Sequence, residues 1–285
     1  MYRLIGLAAL MGAAPAVGAH DGAGWAAHWV PWALLAFLLV YLLGLFRGRG
    51  SSAGRVSLFL AGWAVLTTSL VGPLDDWAHS SLAGHMVQHM ILLAIAPPLL
   101  LLARPMPAYM QALSPGLRRR LGPGLGRVYA LAGATPVTAF VVHGLVIWLW
   151  HLPTPYQAAL QSTLIHDLEH FMFLATGLWF WWSLIAPGRL GRPGFGLAAI
   201  LAVLTLMHTG MLGALMTFAP QLLYPEHPAG FAGFDRLSDQ QLAGLIMWVP
   251  GGLIYTAAAL ALVGLWLGRT EAWGRVGVSG SERAT

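Results

Sequence analysis

The 285-residue chain has no cysteine, no lysine and few charges of either sign. Without cysteine there are neither disulfides nor thiolate ligands, so a metal must be held by histidine, methionine or carboxylate. Charged residues make up only 9% of the chain, against about a quarter in a soluble domain of this length. Hydrophobic residues make up 58%, and the mean hydropathy is +0.69. That composition belongs to a polytopic membrane protein. The formal net charge is +5, carried entirely by arginine. On a membrane protein such an excess reports topology and excludes the need for a nucleic-acid partner.

Residues 1–19 read as a secretory signal, with Arg3 as the positive region, Leu4 to Met11 as the apolar stretch and Val17-Gly18-Ala19 as a small-residue cleavage site. Cleavage there leaves His20 as the amino terminus; an uncleaved short hydrophobic segment is the alternative. Seven apolar runs follow: Trp29–Phe46, Val56–Leu74, His85–Ala103, Tyr129–Trp150, His166–Ile185, Phe195–Phe218 and Leu242–Leu267. Each is near the ~20 residues that a helix needs to cross the hydrocarbon. The expected fold is therefore an all-α membrane protein, a seven-transmembrane-helix bundle over residues 20–268. Residues 269–285 are expected to form a disordered cytoplasmic tail. Pro97-Pro98 and Pro136 are expected to kink their helices.

Arginine placement predicts orientation. Arg47, Arg49 and Arg55 lie in the first loop, and Arg104, Arg118, Arg119, Arg120 and Arg127 in the third. Arg189 and Arg192 lie in the fifth, and Arg269, Arg275 and Arg283 in the tail. The alternate loops hold Arg236 beside Asp75, Asp76, Glu226, Asp235 and Asp239. The amino terminus is then outside and the tail inside, in the inner (cytoplasmic) membrane of a bacterium.

Two histidine pairs stand out, His85-Met86-Val87-Gln88-His89 and His166-Asp167-Leu168-Glu169-His170. Residues four apart share a helix face, separated by about 6 Å of rise. Each pair opens an apolar run that later meets proline (Pro97, Pro187) and follows a polar outer loop, a hint of a duplicated helix pair. On the predicted topology no histidine falls on the cytoplasmic side. His20, His28, His79 and His227 map to outer segments; His85, His89, His151, His166 and His170 map to outer span ends. His143 and His208 lie deeper, His143 about 12 Å of helix rise from His151. Ionisable side chains kept inside a membrane mark a functional site by default. A single histidine at a helix end is ordinarily an interfacial residue, but two pairs at one membrane face are hard to attribute to accident. The candidate metal ligands are His85, His89, His166, His170, His151, His143 and His208, with Met86 and Met211 as thioethers. Asp167, Glu169 and Gln88 are candidate acceptors to orient the rings. Imidazole with thioether suits copper(I). Met172 and Met247 read as core filler.

Three stretches carry a family resemblance. One is His85 to His89 with the run to Arg104-Pro105. Another is His151-Leu152-Pro153 through Tyr156, Ala159-Leu160 and His166 to His170, ending at Trp181-Trp182. The third is Asp239-Gln240-Gln241-Leu242-Ala243-Gly244-Leu245-Ile246-Met247-Trp248. Together, over about residues 25–268, the chain resembles the polytopic CtaG family of cytochrome c oxidase assembly factors, which is distinct from the single-span copper chaperone of the same name. The resemblance implies a non-enzymatic role in maturing a haem–copper oxidase at the copper-insertion stage. Its partners would be oxidase subunits or other copper chaperones, within the lipid bilayer.

Two other readings fit part of the pattern. A membrane zinc hydrolase could use Ser81 to His85, Asp75 or Asp76, and His166 to His170 around a zinc-activated water. Its second pair opens the fifth span instead of the last, which fits poorly. A haem b electron carrier would use histidines on opposed helices as axial ligands.

Overall fold

The computed structural model describes residues 29–48, 51–185, 194–227 and 233–281. The signal reading, His20, His28, Arg189 and Arg192 lie outside these residues. Every regular element among the described residues is helical: α1 (Trp29–Arg47), α2 (Ala53–Leu70), α3 (Pro73–Ser80), α4 (Leu82–Met90), α5 (Ala96–Leu102), α6 (Met106–Ala112), α7 (Pro115–Ala134), α8 (Pro136–Trp150), α9 (Pro153–Gln161), α10 (Thr163–Ile185), α11 (Phe195–Thr217) and α12 (Arg236–Ser281). A π-helical segment, Ile91–Ile95, joins α4 to α5.

Among the described residues, five helical segments are long and apolar enough to cross a membrane: Trp29–Arg47, Ala53–Leu70, Leu82–Leu102, Phe195–Thr217 and Arg236–Arg269. A sixth arises if α7 and α8 count as one span. They meet at an 80° bend, so the run expected at Tyr129–Trp150 is broken at Thr135. The cause is Pro136, which disfavours helical geometry in the residue before it and starts a new helix at its own position. α10 has span length, 23 residues, but its own polar cluster holds its apolar character below that of the other spans. The seven-span expectation thus reduces to five or six by length and composition. α12 continues to Ser281, past the point where a disordered tail is expected.

Packing divides the bundle into layers. At one end a core of Met86, Met90, Leu92, Leu93, Ile147, Trp150, Tyr156, Phe173, Met216 and Met247 surrounds the histidine pairs. Toward the other end Phe180, Trp181, Leu184, Ala198, Ala202 and Tyr255 form a second core. α4 is the central element. Of its residues Leu82, Ala83, Gly84, His85, Met86, Gln88, His89 and Met90 are all buried. α11 and α12 pack backbone to backbone at Gly213 and Gly244, where a Cβ on either would collide with the other's carbonyl oxygen. Lipid is as apolar as leucine, so close approach of this kind holds membrane helices together more than hydrophobic burial does.

The hinted duplication extends to the backbone. Each histidine pair follows a short helix with proline in its first turn, α3 or α9, and a single extended serine, Ser81 or Ser162. In both places the amide of the first histidine, His85 or His166, donates to that serine's carbonyl at 3.0 Å.

Candidate metal centre

Helical periodicity puts His85 over His89 and His166 over His170, and the rings within each pair lie 4.2 and 4.1 Å apart. Packing of α10 against the π segment and α5, which continue α4, then brings the two pairs together. His85 lies 5.5 Å from His166 and 6.2 Å from His170, and His89 lies 5.8 Å from His170, ring centre to ring centre. His151, at the end of α8, is 5.8 Å from His89. Its Nδ1 lies 2.7 Å from the Ile147 carbonyl, which can only accept; the proton is therefore on Nδ1, and Nε2 presents a lone pair.

Glu169 sits in the midst of these rings, fully buried, with Oε1 3.6 Å from His89 Nε2. Among the described residues both Glu169 oxygens, both His89 nitrogens, His85 Nε2 and His170 Nε2 are buried without a hydrogen-bond partner. Each orphaned group of this kind costs on the order of 1–3 kcal/mol. A protein holds so many together when something else, such as a cation, satisfies them. Two ligand sets have the required proximity: His85, His89 and His170, and His85, His166 and Glu169, each with its donor atoms within 4.8 Å of one another.

Other predicted residues lie elsewhere. His143 is buried deeper, with Nδ1 3.2 Å from Thr176 Oγ1 and its ring stacked on Phe180. His208 neighbours Phe140 and Gly144. Phe173, packed against both His89 and His151, separates that level from the outer cluster. Met86 is buried in the core around α4, and Met211 is exposed on the bundle surface. Gln88 turns from the histidines and donates to the Ser69 carbonyl and to Asp75 Oδ1. Asp167 faces outward and accepts from Trp29 Nε1 at 2.8 Å.

Four contributing residues, Asp239, Gln240, Gln241 and Tyr224, had no site role on the sequence alone. Asp239, at the start of α12, caps α4 across the bundle. Its carboxylate accepts from Ser81 Oγ and the Leu82 amide, each at 2.7 Å, and from the Ala83 amide at 3.4 Å. That satisfies the free amides of the helix bearing His85 and His89. Gln240 holds the Leu223 amide and the Gln221 carbonyl, and Gln241 holds the Ala219 carbonyl. These bonds fix the outer loop that carries Tyr224 and His227. Tyr156 and His227 form a roof over the cluster, 5.5 and 6.3 Å from His85. Tyr224 donates to the His151 carbonyl at 2.7 Å. Burial, reinforced by the Glu169 carboxylate, pushes the Tyr156 and Tyr224 phenols up, so both stay protonated at neutral pH. His79, whose side chain is 49% exposed, touches His166 at 5.6 Å and is the outermost ring of the series. The only prior signal for the Asp239-Gln240-Gln241 cluster was its place in a stretch of family resemblance.

Comparison with known proteins gives a family match. The model of a family described as cytochrome c oxidase caa3 assembly factor matches residues 39–269. Two curated relatives, the uncharacterized proteins Mb0105 of Mycobacterium bovis and MT0111 of Mycobacterium tuberculosis, are each 25% identical over 232 residues. The match covers 77% of this chain but 35% of each relative, so the chain spans about a third of their length. No solved structure matches.

Proposed function

The chain belongs to the cytochrome c oxidase caa3 assembly factor family, and we propose that it serves oxidase assembly by holding copper as cargo in the histidine cluster. The observation that supports this reading is the convergence of His85, His89, His166 and His170 around a buried Glu169 with no hydrogen-bond partner. Imidazole is a ligand that copper accepts and exchanges. Ligands from separate helices can be given up singly, as a donor protein requires. The role is delivery, with no catalysed reaction. The cluster faces the extracytoplasmic side of the bacterial cytoplasmic membrane, the side whose loops are poor in arginine, and copper passes inward from His79 past His166. The receiving partner is an oxidase subunit or a second copper carrier.

Copper(I) titration of the purified full-length protein under reducing conditions tests the proposal. Wild type is expected to retain copper, whereas His85→Ala/His89→Ala and His166→Ala/His170→Ala lose it. Unaltered stoichiometry in both variants defeats the reading. One observation favours zinc as a second reading: His85, His166 and Glu169 form the two-histidine, one-carboxylate set used by zinc hydrolases. Elemental analysis of the protein as isolated separates the two.

A further inference from the structure

The two ligand sets share one residue, His85. One imidazole nitrogen lone pair binds one ion, so the sets cannot both be filled through it. We propose that the cluster is a two-position site in which His85 stays bound while the ion moves. The outer position is His85, His166 and Glu169, and the inner position is His85, His89 and His170. This deepens the copper reading and rests on it.

The geometry separates the positions by depth. His166 is half-buried and abuts the exposed His79, whereas His89 is 1% exposed and lies on Phe173. Moving from the first histidine of a pair to the second is about 6 Å of helix rise. Metal–nitrogen bonds of about 2.0–2.1 Å put neighbouring donors closer together than 4.8 Å, so either set must tighten by a rotamer adjustment to close. Tightening one set draws His85 from the other.

The transfer is a ligand exchange with no change of oxidation state. The bonds to His166 and Glu169 break, bonds to His89 and His170 form, and the bond to His85 persists. No proton or electron moves. After the exchange Glu169 remains beside His89 as a counter-charge, which a cation in a low-dielectric bundle requires. The positions also differ in chemistry. The outer set contains a carboxylate and suits a divalent ion, whereas the all-imidazole set suits copper(I).

The test compares copper(I) with cobalt(II) as a divalent probe, on full-length protein in detergent or nanodiscs. Wild type is expected to take a single ion of either kind in the cluster. Glu169→Gln should weaken cobalt(II) by at least about tenfold, the lower end of what losing even an indirect partner costs a metal site. The same variant should weaken copper(I) clearly less, because Glu169 is then a neighbouring charge and not a ligand, and the copper(I) shell should be all-nitrogen by X-ray absorption. His89→Ala should do the reverse, weakening copper(I) and sparing cobalt(II). His85→Gln, which keeps a polar group of similar size, should weaken both. Two copper(I) ions bound at once in wild type would overturn the shared-ligand proposal and leave the copper reading standing. Equal losses of both metals in Glu169→Gln and His89→Ala would do the same. Wild-type protein that binds no copper at all would sink both together.

Discussion

The two arms that bear the histidine pairs share a plan and differ in how they are secured. Each runs from a proline-started short helix through an extended serine into a long helix with histidines at its first turns. In the α3–α4 arm, α4 is buried at every position except Val87. Asp239 and Ser81 cap its start, Gln88 ties it to α2 and α3, and the π segment leads it into Pro97. Gly84 is packed so tightly on Trp77 that a Cβ there would come within 2.8 Å of its ring. The α9–α10 arm lies at the flank. Ser162 makes no capping bond among the described residues, His166 is half-exposed, and the outward contact is Trp29 to Asp167. One arm is thus a fixed wall, and the other presents its outer histidine toward the water. The copper reading proposed above calls for both, since the ion must first be received and then enclosed.

Changes that attack the fixed wall should have the largest effect. Asp239→Ala removes a buried acceptor from the Ser81 hydroxyl and two amides, and should lower unfolding free energy by about 2–4 kcal/mol. Thermal denaturation in detergent measures this, and copper affinity should fall with it as His85 and His89 lose their register. A stability equal to wild type would show that the cap is dispensable.

Next comes a matched pair at equivalent positions. Ser81→Ala should cost about 1 kcal/mol, because its hydroxyl both donates to Asp239 and accepts from the Gly84 amide. Ser162→Ala should change stability by less than about 0.5 kcal/mol, as for a residue without such a bond. Equal effects would erase the asymmetry between the arms.

Smaller than the loss at Ser81, Trp29→Phe breaks the exposed bond to Asp167 and should cost about 0.5 kcal/mol, the low end for a hydrogen bond, without affecting metal binding. The weakest effect is on pH dependence. The buried Tyr156 and Tyr224 phenols have folded pKa values above the unfolded value of about 10, so the unfolded state loses its protons first. Their contribution is complete below pH ~10 and is lost as pH rises beyond it. The melting temperature of wild type should therefore drop above pH ~10 more steeply than that of Tyr156→Phe/Tyr224→Phe.

The histidine map was legible because helical periodicity is local. Once α4 and α10 are helices, His85 must lie over His89 and His166 over His170. The acceptors were not legible. Asp167 and Glu169 lie about 80° to either side of their pair, so period alone cannot choose between them. Packing chose Glu169 and turned Asp167 outward. Gln88 and Met86 flank the first pair in the same way, and neighbouring helices drew both from the cluster. The bend between α7 and α8 was legible at Pro136, but its size, 80°, was not, because hydropathy does not register an angle.

What the sequence determined by itself is the membrane class, the helical state of nearly all described segments and the facing of residues within each helix. Those follow from composition and from a repeat of a few residues. Only the tertiary structure decided that the two pairs meet, that Glu169 lies between them and that Asp239 reaches across to cap α4. These depend on which helix sides touch. In a bilayer an apolar side chain is equally at home against lipid or protein, so a span's sequence says little about its neighbours.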